Sequence, residues 1–167
     1  EKAIPVISKI ADKWEIIMVD DGSSDSTLEK MQQLSKKDKR LVSVSHKKNR
    51  GYGAALKTGF ENAQYKYIVF NDGDGQFDFA EIDRFMEKID NSDVVIGFRK
   101  KRLDNPFRHI LMNMLKVWDL IFFNFYFKDI DCGFKLFKKE AVEKILPLKS
   151  EGAMITTDIL EKKKKNH

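Results

Sequence analysis

The stretch KYIVFNDGDGQFDF, residues 66–79, carries the reading of the fold. Its first half is a short apolar run rich in β-branched and aromatic residues, the signature of a buried strand. Its second half ends that run with Asn71, Asp72, Gly73, Asp74 and Gly75, all turn-forming types. A buried strand that closes on paired acids is informative, because ligands of open α/β sheets bind beyond the carboxyl ends of the strands.

The same arrangement occurs upstream. WEIIMVD, residues 14–20, is another apolar run, and Asp20 and Asp21 close it before the loop DGSSDS. A helix, STLEKMQQLSKK, follows, with Ser24 or Asp25 placed to cap it. LVSVSH alternates as a strand, and GYGAALKTGFENAQ has small and apolar residues at helical spacing. Beyond residue 79, FAEIDRFMEKID reads as an amphipathic helix and SDVVIGF as a strand. A long helical pattern runs from about Asn105 to Tyr126, CGFKLFK reads as a strand, and EAVEKIL and TTDILEKKKK read as helices. Alternation of strand and helix predicts an α/β fold, and short right-handed crossovers predict a mostly parallel central sheet flanked by helices. Both acidic pairs then fall at strand carboxyl ends.

The 167 residues suffice for one domain with a real core. A hydrophobic content of 42% and a charged content of 34% exclude a disordered chain. Basic residues gather in KKDKR, HKKNR, FRKKR and KKKK, under a net charge of +5. Such patches suit phosphates or anionic head groups. They lack interleaved aromatics and any recognised module, which argues against nucleic acid as a partner. The single cysteine, Cys132, permits no internal disulfide and offers no zinc spacing, so a packing role in a reducing, cytosolic setting is expected. ILMNMLKVWDLIFFNFYF is the most apolar stretch, but Asn113, Lys116, Asp119 and Asn124 interrupt it. It reads as a core or interfacial helix rather than a membrane span.

The acids carry the chemistry. In an extended backbone Asp72 and Asp74 point the same way, and two converging carboxylates repel unless one keeps its proton or a cation lies between them. Carboxylate and amide oxygens are hard ligands suited to Mg²⁺ or Mn²⁺, with Gln76 as a further oxygen. The small Gly73 and Gly75 let a phosphate approach the backbone. Asp20 and Asp21 offer acceptors for a base N–H or for ribose hydroxyls, beyond what helix capping needs. NRGYGAALKTG has G-x-G at a helix start without the spacing of a phosphate loop, so close packing of helix on sheet is the expected role of Gly51 and Gly53. Among Arg99, Lys100, Lys101, Arg102 and Arg108, past the fourth strand, Arg99 and Arg108 are the preferred phosphate binders, since guanidinium groups bind phosphate bidentately.

Five motifs in order, VDDGSSDST, N-x-G-x-G-A-A, DGDGQFDF, GFR with a downstream arginine, and DCGFKLF, resemble those of the family 2 glycosyltransferases. The branch they most resemble is the polyprenyl-phosphate sugar transferases, such as the dolichyl-phosphate mannose and glucose synthases. The resemblance spans nearly the whole chain. It implies a GT-A, Rossmann-like fold and an inverting transfer from a nucleotide-sugar (GDP- or UDP-sugar) to a polyprenyl phosphate. By the same match Asp21, with Asp20 beside it, contacts the nucleoside. Asp72, Asp74 and Gln76 hold the metal and diphosphate, Arg99 and Arg108 bind phosphates, and Asp131 borders the sugar pocket. Asp158 is the candidate for the acidic residue that serves other branches as general base, a role that an already anionic acceptor scarcely requires. A lipid acceptor implies a membrane surface and a peripheral location on its cytoplasmic face. No particular oligomeric state is implied.

Two departures stand out. The family opens on a strand ending in a Pro-x-Tyr-Asn-Glu-like stretch, whereas this chain opens on EKAIPVISKI, which reads as a helix. The expectation is a single domain over 1–167 that lacks its first strand and its C-terminal continuation. Asp-Gly-Asp also stands where many members have Asp-Ala-Asp. The competing expectations are a family 2 enzyme acting on a polysaccharide or other non-lipid acceptor, and a non-catalytic nucleotide-binding fragment.

Overall fold

The computed structural model describes residues 3–73, 77–97 and 132–146. Helix α1 (Ala3–Ile10) leads into β1 (Ile16–Asp20), α2 (Thr27–Lys37), β2 (Leu41–Ser45), α3 (Tyr52–Asn62) and β3 (Tyr67–Asn71). A single 3₁₀ turn (Phe79–Glu81) opens α4 (Ile82–Ile89), which is followed by β4 (Val94–Ile96), β5 (Phe134–Lys138) and α5 (Lys139–Ile145). Every strand and helix expected within these residues is present. The long helical pattern near residues 105–126 and the stretch TTDILEKKKK lie outside them.

Strands β1 and β2 pair in parallel, from Ile16 opposite Leu41 to Asp20 opposite Ser45, as a crossover through α2 demands. The remaining strands are ordered β3-β5-β4, and β5 runs antiparallel to both neighbours. β3 and β4 are therefore parallel to each other, as the crossover through α4 requires, but they do not touch. Among the described residues the strands thus form two sheets, β1-β2 and β3-β5-β4, and the expected parallel arrangement holds within each for strands joined by a crossover helix but not for β5, which enters between β3 and β4 from the opposite direction.

This insertion explains the unbroken FKLF of β5. A strand with neighbours on both edges and packing on both faces loses the alternation of a half-exposed strand. On one face Phe137 packs with Leu56 and Phe60 of α3 and Val142 of α5, with Ile68, Phe70 and Val94 alongside. On the other, Phe134 and Leu136 pack with Cys132 and with Ile82, Phe85 and Ile89 of α4. Those three α4 residues recur at i, i+3 and i+7, so one helical stripe meets the sheet. Cys132 is buried in this core, as expected for a packing residue. Among the described residues no helix is long and apolar enough to cross a membrane.

Candidate functional site

The site is built on the strand ends that carry the acids. At the end of β1, Asp20 is 3% exposed, and its carboxylate accepts from the Ser23 N–H at 3.3 Å. Gly22 follows with φ of +75°, a left-handed conformation that L side chains rarely adopt. A β-carbon there would also stand 2.7 Å from the backbone nitrogen of Asn49 and the carbonyl carbon of Lys48. The glycine of the DDG triplet thus lets the loop after β1 lie directly on the loop after β2.

Asp21 fastens the two loops together. Its Oδ1 accepts from the Arg50 N–H at 2.9 Å and from His46 Nδ1 at 2.6 Å, and its Oδ2 accepts from the Gly51 N–H at 2.7 Å. With the carboxylate as acceptor, Nδ1 carries a proton, and Nε2 lies 2.8 Å from the Thr58 hydroxyl of α3. Burial pushes the Asp21 carboxyl up, but the Arg50 amide, the His46 ring and the Gly51 amide together outweigh it and hold the group below its ordinary value. Three of about four lone-pair positions on the carboxylate are occupied, which leaves one for a ligand. The sequence marked Asp21 as a nucleoside contact; its other task, stapling the loops, was not legible there. The cap of α2 differs from the expected Ser24 or Asp25: Ser26 is the N-cap and its side chain makes no cap bond, while Asp25, one residue earlier, accepts from the Thr27 N–H at 3.0 Å.

Gly51 differs from its expected role. Its φ is +92°, so the residue is required by backbone conformation at the N-cap of α3 and by its amide bond to Asp21. Gly53 is buried in α3, consistent with close packing of the helix. His46 is the residue that sequence reasoning missed. It lay unremarked in the basic patch HKKNR, and its one available signal was its place at the end of a strand.

The second acidic motif stands at the end of β3, held on β5. Asp72 continues the ladder by donating its N–H to the Gly133 carbonyl at 3.1 Å. Beyond Asp74, Gly75 and Gln76, which lie outside the described residues, Phe77 and Phe79 return to the same strand. Their rings sit 6.1 Å and 6.0 Å from that of Phe134. Asp78 closes the turn by accepting from the Ala80 N–H at 3.0 Å. Both ends of the acidic loop are thus pinned to one short segment of β5. Gly97, where the chain departs toward Arg99, donates to the Phe134 carbonyl at 2.9 Å. Arg99, Arg108, Asp131 and Asp158 lie outside the described residues.

Helix α3 joins the two motifs. Its N-cap amide binds Asp21, and its first residue, Tyr52, packs edge-on against Phe70 of β3 with ring centroids 5.9 Å apart. The carboxyl ends of β1 and β3 therefore open to the N-terminus of one helix. Among the described residues no three His, Cys, Asp or Glu side chains cluster for a metal. The donor types near Asp72 nevertheless fit a hard divalent cation. Asp72 supplies a carboxylate of the hard-oxygen type, and the adjacent Asn71, which alternation turns to the other face, has a buried Oδ1 with no hydrogen-bond partner among the described residues. Leaving such an oxygen unsatisfied costs about 1–3 kcal/mol, a penalty tolerated more readily at functional sites than in structural cores.

An α/β chain with acidic residues at the carboxyl ends of β1 and β3 has the layout of a nucleotide-binding type of protein, and comparison with known proteins places it more closely. The chain belongs to glycosyl transferase family 2, whose model matches residues 5–146. It is 32% identical over 177 residues to a dolichyl-phosphate beta-glucosyltransferase of Saccharomyces cerevisiae, covering 91% of this chain and 53% of that protein. A second dolichyl-phosphate beta-glucosyltransferase, from Dictyostelium discoideum, is 35% identical over 150 residues, covering 80% of this chain and 45% of the relative. An undecaprenyl-phosphate 4-deoxy-4-formamido-L-arabinose transferase of Salmonella is 39% identical over 97 residues, covering 57% of this chain and 30% of that protein. The chain thus spans about half the length of the two dolichyl-phosphate relatives. Its fold is that of a mannosyltransferase from Pyrobaculum calidifontis solved with GDP-Man and Mn²⁺. The TM-score is 0.58 at 17% identity, covering 89% of this chain and 43% of that one. The α/β, GT-A fold expected from sequence is therefore the observed one.

Proposed function

We propose that the chain is the donor-binding domain of a metal-dependent, inverting glycosyltransferase that moves a sugar from a GDP- or UDP-sugar to a polyprenyl or dolichyl phosphate at the cytoplasmic face of a membrane. The observation that supports this reading is that the start of α3 reaches both acidic strand ends: the Gly51 amide bonds Asp21, and Tyr52 packs on Phe70, two residues before Asp72. The names of the three relatives described above, dolichyl- and undecaprenyl-phosphate sugar transferases, support the acceptor class.

Asp20 and the remaining lone pair of Asp21 orient the nucleoside. Asp72, Asp74 and Gln76 would hold Mg²⁺ or Mn²⁺, which supplies positive charge against the negative charge that builds on the leaving diphosphate. Arg99 and Arg108 bind phosphate groups and direct the acceptor oxygen to the face of the anomeric carbon opposite the leaving group. A new carbon–oxygen bond forms there as the bond to the diphosphate breaks, its electron pair leaving with the diphosphate. The acceptor phosphate is already anionic, so Asp158 has no proton to remove in this scheme.

The test is sugar transfer from GDP- and UDP-sugars to dolichyl phosphate in vesicles, with Mn²⁺, using the full chain. Asp74→Ala is expected to abolish transfer while thermal unfolding stays cooperative. Full activity in that variant would remove the metal assignment. Transfer only to a soluble or polysaccharide acceptor would replace the lipid assignment, and nucleotide binding without turnover would reduce the chain to a binding module.

A further inference from the structure

We infer that the segment Cys132–Gly133–Phe134–Lys135 is a positioning cradle for Asp72, in which the absence of a side chain at Gly133 sets where the acidic motif points. This rests on, and deepens, the reading of Asp72 as a ligand of the metal and diphosphate.

A β-carbon added to Gly133 would lie 1.8 Å from Asp72 Oδ2, 2.5 Å from its Cγ and 3.1 Å from the Phe77 ring. The Asp72 carboxylate therefore occupies the volume that any other residue at position 133 would fill. The backbone bond between Asp72 and Gly133 fixes the main chain, and the bare Cα fixes the side chain. Relief by movement of Gly133 is hindered on both sides. Phe134, 1% exposed, is locked beneath Phe77, Phe79 and Phe85, and Cys132 is 1% exposed in the same core.

Lys135 supplies the second part of the cradle. It is 3% exposed, on a strand whose neighbouring residues are apolar, and it pairs in register with Phe70 and Ile96. An ammonium group is costly to bury, so a lysine here needs a reason that packing does not give. Its Nζ donates to the Cys132 carbonyl, three residues back, and lies 5.6 Å from the Phe70 ring. That bond closes the turn that presents Gly133 to Asp72. Gly133 and Lys135 act through Asp72 and are positioning residues.

The experiment follows Mn²⁺ binding directly, by electron paramagnetic resonance of Mn²⁺ titrated with the full chain in the presence of GDP or UDP. Thermal unfolding is recorded on each variant. Gly133→Ala is expected to weaken Mn²⁺ binding by about tenfold or more, the scale on which partners of metal ligands act. Lys135→Met is expected to weaken it in the same direction. Met31→Ala, which truncates a core residue of α2 on the other sheet, is expected to lower the melting temperature without changing Mn²⁺ affinity. Wild-type Mn²⁺ affinity in folded Gly133→Ala, with loss of binding in Asp72→Ala, overturns the cradle and leaves the metal assignment standing. Wild-type affinity in Asp72→Ala overturns the metal assignment and the cradle with it. Should Gly133→Ala not fold, Lys135→Met decides, and unchanged Mn²⁺ affinity there overturns the proposal.

Discussion

Replacing Asp21 by alanine removes the acceptor shared by the Arg50 N–H, the Gly51 N–H and His46 Nδ1, at 2.9, 2.7 and 2.6 Å. Hydrogen bonds to a charged group contribute about 1.5–3 kcal/mol each when buried. The Asp21 side chain keeps 19% of its exposure, and Arg50 lies on an exposed loop that water can reach, so the bonds do not count at full value. The His46 ring is only 7% exposed and its Nδ1 loses its partner, while Nε2 keeps Thr58. A net loss of about 2–3 kcal/mol follows. For a domain of this size that is a fall in melting temperature of roughly 5–10 °C.

The pH dependence carries the sign. The Asp21 carboxyl is held below its ordinary value of 3.8 in the folded chain. Its contribution is complete above that value and is lost as pH falls through the lower folded one. Urea unfolding of wild type and Asp21→Ala, repeated from about pH 7 to about pH 3, reads both effects. The gap between the two proteins is expected to be constant near neutrality and to close in acid. A gap below about 0.5 kcal/mol at pH 7, the size of an ordinary surface substitution, refutes the staple. A gap that does not narrow in acid refutes its dependence on the ionised carboxylate.

Two other substitutions test the frame around the site. Gly22→Ala places a side chain at φ +75° and against the backbone of residues 48 and 49, and is expected to destabilise by about 1–3 kcal/mol in chemical denaturation. Unchanged stability there would mean that the loops after β1 and β2 do not meet as described. Phe134→Ala empties the 1%-exposed position on which Phe77, Phe79 and Phe85 rest, and is expected to cost about 3–5 kcal/mol. A loss under about 1 kcal/mol would show that the acidic loop is anchored elsewhere.

Much of the fold was legible because its elements differ in period. IIMVD and YIVFN are apolar runs too short for a helix, and the Ile82, Phe85 and Ile89 stripe of α4 repeats at helical spacing. The direction of β5 was not legible. FKLFK reads as a strand in either sense, and its partners lie more than 35 residues away for β4 and more than 60 for β3. Lys135 went unremarked within that strand, because no local pattern separates a buried lysine from an exposed one. The acids were found because strand ends are where their cost is tolerated, but their partners were hidden. His46 meets Asp21 across 25 residues, and Gly133 meets Asp72 across the sheet. Contacts made at long range leave no spacing in the sequence to read.

The two acidic motifs occupy equivalent places at the ends of β1 and β3, yet the chain treats them differently. Asp21 is surrounded by N–H donors, so its charge is stabilised inside the protein and its geometry is fixed before any ligand arrives. What remains to it is a single directed acceptor, suited to a neutral N–H or hydroxyl on a nucleoside. Asp72 is held through its backbone bond to Gly133 and by the missing side chain there, a restraint of shape. In the proposed reading that shape aims the carboxylate at a cation, and a cation is what a diphosphate leaving group requires. The proposed division of labour between a nucleoside end and a diphosphate end thus rests on how each aspartate is held, although the residues themselves are identical.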